Sequence, residues 1–143
     1  MSRTSAALRS LVFAAAALGA VAAFAQTPAK PDAMAYIISP ADGATVSNPV
    51  TVRFGLRGMG VAPAGVERPD TGHHHLLIDV DQLPPPGAPV PMDDKHRHFG
   101  AGQTEVTLDL APGKHTLQLL MGDHMHVPHN PPVVSERITI TVK

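Results

Sequence analysis

The chain has 143 residues, no cysteine and no tryptophan, and 11 basic against 12 acidic side chains, for a formal charge of -1 with its nine histidines neutral. That balance offers a polyanion no basic surface, which argues against nucleic acid as a partner, and the lack of thiols removes both a disulfide frame and thiolate metal ligation. The length allows one domain with a real core and not two, and an aromatic content of 3% means that this core must be aliphatic.

Arg3 and Arg9 make a basic start, 11–21 is an alanine-rich apolar run, and Ala23-Phe24-Ala25 fits a small-x-small cleavage pattern, so 1–25 reads as a secretory signal peptide. The run is shorter than the about 20 residues a spanning helix needs. Cleavage, a periplasmic or secreted location and no membrane span afterwards are therefore expected. Residues 26–34, with Pro28 and Pro31 and no periodicity, are expected to form a flexible lead-in, and 35–143 a single domain.

The first strand is expected at 36–39, ended by Ser39-Pro40, with a turn at Asp42-Gly43. Residues 50–57 alternate cleanly, burying Val50, Val52, Phe54 and Leu56 and exposing Thr51, Arg53 and Arg57. A long connection, 58–72, leads into Gly72-His73-His74-His75-Leu76-Leu77-Ile78-Asp79-Val80, whose apolar part favours a strand over 73–80. Alternation there puts His74, Leu76, Ile78 and Val80 on one face and His73, His75, Leu77 and Asp79 on the other. The stretch 83–91 holds five prolines and cannot pair inside a sheet, so it reads as a polyproline-like surface loop. A short edge strand follows at 96–99. Strands are then expected at 104–110 (Val106, Leu108 and Leu110 inward), 115–122 (Leu117, Leu119 and Met121 inward) and 133–142 (Ile138, Ile140 and Val142 inward), and no segment has helical period.

Seven short strands separated by regular turn signals predict an all-β fold, an immunoglobulin-like antiparallel β-sandwich. In such a path His115 occupies the corner position where a tyrosine commonly sits. An up-down order also brings the connections before 73, before 104 and after 122 to one end. The spacing His-x-His occurs at His73/His75, His96/His98 and His124/His126, and all six are expected at that end, with His129 close by; His115 belongs to the opposite end.

Neutral imidazoles bind zinc, copper, nickel and iron, and three or four converging rings match the coordination those ions take. The six histidines are the candidate metal ligands, with His129, Asp79, Asp123 and Met125 as additional or supporting groups. Copper is the first expectation, because it heads the affinity order for nitrogen donors and accepts the thioether of Met125; zinc is the rival. His74 and His115 read as hydrogen-bonded core or rim residues, and Met121 as core filling.

The run Ile38-Ser39-Pro40-Ala41-Asp42-Gly43-Ala44-Thr45-Val46, Gly58-Met59-Gly60-Val61-Ala62-Pro63-Ala64-Gly65, GHHHLLID at 72–79, KHRHFGAGQTE at 95–105 and HTLQLLMGDHMHVPH at 115–129 resemble a set of small exported bacterial proteins grouped only as a domain of unknown function. The resemblance spans nearly all of 26–143 and implies no ligand or catalytic assignment. The architecture is also similar to periplasmic copper carriers and copper-zinc superoxide dismutase, a likeness of shape that implies no function.

The leading expectation is a periplasmic metal-binding protein for copper handling or storage, its partners the metal ion and another periplasmic protein. The alternative is a structural or partner-binding module of the cell envelope, its histidines a hydrogen-bonded network that fixes the loops. A metalloenzyme is the less favoured class, since Glu67, Glu105 and Glu136 all lie away from the histidine pairs.

Overall fold

The computed structural model describes residues 25–143, so the signal peptide expected over 1–25 falls, but for Ala25, outside the described residues. Nine strands run in chain order: β1 (Met34–Ser39), β2 (Thr45–Val46), β3 (Val50–Arg57), β4 (Gly60–Val61), β5 (Thr71–Ile78), β6 (His96–His98), β7 (Glu105–Leu108), β8 (Gly113–Gly122) and β9 (Ile138–Val142). There is no helix among the described residues, hence none long and apolar enough to cross a membrane. The seven expected strands are present, with β2 and β4 as two-residue additions.

Two sheets form an all-β sandwich. One has the order β1-β3-β7, the other β2-β9-β8-β5-β4, and β6 joins the same edge of β5 as β4. Most pairs are antiparallel; the two-residue strands pair in parallel, β2 with β9 and β4 with β5. The alternation of β3 decides its faces: Val50, Val52 and Phe54 are buried, while Thr51, Arg53 and Arg57 stay in water. They meet Leu76 and Ile78 of β5, Leu117, Leu119 and Met121 of β8, and Ile138, Ile140 and Val142 of β9 in one core.

The last strand departs from expectation. Residues 133–135 run along β8, with Met121 N donating to Val133 O and Ser135 N to Leu119 O, but regular pairing begins only at Ile138. The ladder is interrupted because the Ser135 hydroxyl takes the Leu119 amide at 2.8 Å.

The larger sheet is covered on its outer face as well. A second apolar cluster, Leu77, Leu120 and Val90 with Val80 and Val134 packed on it, lies on the side opposite the main core. Val90 belongs to the proline-rich loop 79–95, which therefore acts as a strap across the sheet. Coverage on both faces explains why β5 is buried at every position from Gly72 to Ile78. The expected flexible lead-in is likewise held in place: Ala29 N donates to Asn130 O, Asn130 N to Thr27 O, and Thr27 Oγ1 to Asp123 Oδ2 at 2.7 Å. Polar backbone and a short hydroxyl supply what periodicity does not reveal.

Candidate metal centre

Strand alternation sends His74, Leu76 and Ile78 into the core and His73, His75 and Leu77 to the outer face. His74 lies against Phe54 with ring centroids 5.2 Å apart, a core residue as expected, but neither of its buried ring nitrogens makes the well-formed hydrogen bond that was also expected. The register then supplies neighbours for the outer rings. His75 pairs with His98 across β5/β6 and with Leu120 across β5/β8, while His73 stands opposite Gly122. Directly opposed residues share a face, so His98 stands beside His75, with centroids 4.2 Å apart.

The fourth ring arrives by a turn. Asp123 Oδ1 accepts from the amides of Met125 (2.8 Å) and Val127 (3.0 Å), and the Asp123 carbonyl accepts from His126 N. His126 has φ 65°, in the left-handed region that non-glycine residues seldom enter. This turn brings the His126 ring to within 4.8 Å of His73 and 4.9 Å of His98, centroid to centroid. Burial of the Asp123 carboxyl works to raise its pKa, but Thr27 and the two amides outweigh it and hold the group below the usual carboxylate range.

His73, His75, His98 and His126 can each offer one nitrogen to a common point, those four atoms lying within 4.8 Å of one another. Metal–nitrogen bonds of about 2.0–2.1 Å in a tetrahedron place ligand nitrogens about 3.3 Å apart. His73 Nε2 is 3.0 Å from His126 Nδ1, which is 3.2 Å from His98 Nδ1. His73 and His75 are fully buried, whereas His98 and His126 are partly open.

Protons cannot satisfy this arrangement. His98 Nε2 donates to the Pro91 carbonyl at 3.0 Å, so a neutral His98 carries a bare lone pair at Nδ1. If His126 Nδ1 holds a proton, His73 must hold its own at Nδ1, which is buried without a partner. If His73 Nε2 donates instead, two lone pairs face each other between His126 and His98. In either case neither nitrogen of His75 makes a well-formed hydrogen bond among the described residues, its approach to the Leu120 backbone being too poor in geometry to count as one. Each buried orphan costs about 1–3 kcal/mol. A cation in the middle takes one lone pair from each ring, which removes the facing lone pairs and engages one nitrogen of His75, so the donor set fits a metal ion.

Three of the rings are also shifted toward the neutral state a metal needs. Burial first, then the neighbouring imidazoles, push His75 down to about 2; burial, then His126 and His98, push His73 down to about 4. His126 is lowered by burial and by His98. All three are neutral at pH 7.

The remaining candidates lie elsewhere. His96 shares the outer face but is tied to Asp93, Nδ1 donating to Oδ1 at 2.7 Å. His124 lines an open cleft of about 320 Å³ with Thr27, Glu67 and Asp123. His129 Nε2 donates to the Thr71 carbonyl, and a Cβ on Gly72 would come 2.8 Å from its Cε1, which places it on the inner side of β5. Asp79 sits at the far end, accepting from Thr116 N and from His115 Nδ1 at 2.8 Å. Met125 is exposed beside His126, and Asp123 supports the turn without touching a ring. The four rings stand at the expected end of the sheet, but on its outer face beneath the strap and the 123–134 loop rather than among loop tips.

Three contributors escaped the sequence reading: Pro91, through its carbonyl; Val90, which plugs the strap; and Gly122, where a Cβ would overlap Cε1 of His75 and come 3.1 Å from its Nδ1. A glycine ending a strand just before the DHMH segment was the available clue. No curated protein and no solved structure matches the chain. Residues 52–143, from β3 to the last strand and including all four rings, match the family described as Domain of unknown function (DUF4399), and the chain belongs to that family.

Proposed function

We propose that the protein is an exported metal-binding protein that carries or stores copper, with zinc as the competing ion, in a centre made by His73, His75, His98 and His126. The observation that carries the reading is the convergence of four imidazole nitrogens, two of them on fully buried rings, with the His75 nitrogens lacking a well-formed hydrogen bond among the described residues. Copper is preferred because it binds nitrogen donors most tightly of the first-row divalent ions. A location outside the cytoplasm rests on the leader-like composition of 1–25. No carboxylate belongs to the group of four, which supports a carrier or store over a hydrolase.

A hydrogen-bonded network that merely fixes loops has the His98–Pro91 contact in its favour. It leaves His75 without a role, and the proton count above leaves either a buried His73 Nδ1 without a partner or two facing lone pairs. Elemental analysis of protein isolated without a histidine tag, followed by zinc and copper titration, separates the two. One ion per chain is expected, lost in a His73→Ala/His75→Ala variant and kept in His96→Ala/His124→Ala. Binding no tighter than that of an unstructured histidine-rich peptide would overturn the proposal.

A further inference from the structure

The strap 79–95 is fixed at both ends and clipped at one point between them. At one end Asp79 N donates to Thr116 O at 3.0 Å and Asp79 Oδ1 accepts from Thr116 N at 2.9 Å, with Arg137 reaching the Asp81 carbonyl close by. At the other end Lys95 O accepts from Ile78 N at 2.8 Å, and Asp93 Oδ1 accepts from the amides of Lys95 and His96. Between these ends, the one backbone-to-backbone hydrogen bond of 80–92 among the described residues is Val90 N to His126 O at 2.9 Å. Beside it the Pro91 carbonyl accepts from His98 Nε2 at 3.0 Å, and the Val90 side chain is buried on Leu77 and Leu120. The clip therefore holds the two partly open members of the centre. His73 and His75 are held without it, by the pairing of β5 with β8.

The partner of one imidazole nitrogen decides which nitrogen is left to ligate and how the ring is turned. With Nε2 donating to Pro91, His98 presents Nδ1 toward His126 Nδ1, 3.2 Å away. With its carbonyl on Val90 N, His126 is kept in the left-handed turn that brings its Nδ1 to 3.0 Å from His73 Nε2. We propose that Val90 and Pro91 are positioning residues for the outer pair His98 and His126, and that lifting the strap at this point sets the rate at which the metal ion leaves. The proposal rests on the four-histidine reading. One local opening loosens two of the four ligands together while the other two stay on the strand, so the burial of a single valine governs how often the centre is half undone.

The test uses the untagged exported protein loaded with zinc and mixed with excess 4-(2-pyridylazo)resorcinol, which reports release by colour. Val90→Ala shortens the clip without adding a polar group, and Val52→Ala makes the same change in the core of the other sheet. Zinc is expected to leave Val90→Ala about tenfold faster than wild type, and Val52→Ala at the wild-type rate. Long-range proton–nitrogen spectra of the metal-free rings supply a readout that lost stability alone does not move. His98 is expected to carry its proton at Nε2 in wild type and to become a mixture of tautomers in Val90→Ala, with His73 and His75 unchanged. Release within about twofold of wild type, equal acceleration in Val52→Ala, or an unaltered His98 tautomer would overturn the clip and leave the four-histidine centre standing. Wild type that takes up no zinc at all would remove the centre, and the clip with it.

Discussion

Both ring nitrogens of His75 are buried without a well-formed hydrogen bond, as are those of His74 in the core, but only His75 has three further imidazoles converging on it, and this sets the centre apart from a structural histidine. Replacing a buried polar group that has no partner by an apolar one of similar shape is near neutral or stabilising. We therefore expect His75→Leu to keep or raise the melting temperature of metal-free protein while metal affinity falls by more than about 100-fold. A network that held the fold through His75 would give the reverse, a lower melting temperature. Gly122 is tested by the opposite change. Its substitution by alanine pushes a methyl group into the His75 ring; a cost of about 1–3 kcal/mol in stability and about 10–100-fold in metal affinity is expected, read by denaturant unfolding and by titration. At this scale the sequence was partly legible. His73 and His75 could be put on one face because a strand repeats every two residues. The choice of His98 over His96 could not, since His96 shares that face and is set apart by the pairing register, which puts it opposite Leu77, and by its bond to Asp93.

The elements that close over the centre carry little of the periodicity that makes strands readable. The strap 79–95 looks like a solvated proline loop, yet Val90 is buried against Leu77 and Leu120, and its amide and the Pro91 carbonyl hold residues of the centre. One apolar side chain amid prolines gives no pattern, so the reading as a surface loop missed its packing. Val90→Ser is expected to cost about 1–2 kcal/mol and to speed amide exchange through 79–98 in metal-free protein, with metal restoring much of the protection. The turn after β8 is a similar case. Asp123 is 3% exposed and serves the amides of Met125 and Val127 together with Thr27. Asp123→Ala should cost about 2–4 kcal/mol, loosen both the turn and the lead-in, and weaken metal binding through His126 alone. By contrast β3, β7 and the Ile138–Val142 strand follow the alternation of their sequences, because each has one face on the core.

Across the whole molecule the histidines act at two poles with opposite sign in pH. At the end away from the centre His115 donates through Nε2 to the Ala111 carbonyl at 2.7 Å and through Nδ1 to Asp79 at 2.8 Å. Both acceptors need a proton on the ring, and the hydrogen bond to Asp79, followed by that to Ala111, raises its pKa. A raised pKa contributes stability that is complete below the unfolded value of about 6.5 and is lost as pH climbs through the folded value. His73 and His75 are shifted the other way, to about 4 and about 2, and His74 is also lowered, in each case first by burial. The unfolded chain therefore binds more protons at these sites below about pH 6.5, so stability is fully present above that value and falls as pH drops toward the folded values. Each such group contributes a slope of up to about 1.4 kcal/mol per pH unit. Metal-free protein should accordingly be most stable near neutrality, with its steep flank on the acid side. Zinc, binding only the neutral rings, should add RT ln(1 + [L]/Kd) above about pH 6.5 and progressively less below it. Melting curves from pH 4 to 9 check the two poles independently. His115→Gln should flatten only the alkaline side, and His75→Leu should soften only the acid side and remove the zinc increment. An acid flank as steep in His75→Leu as in wild type would mean that the buried rings do not set the pH response of the fold.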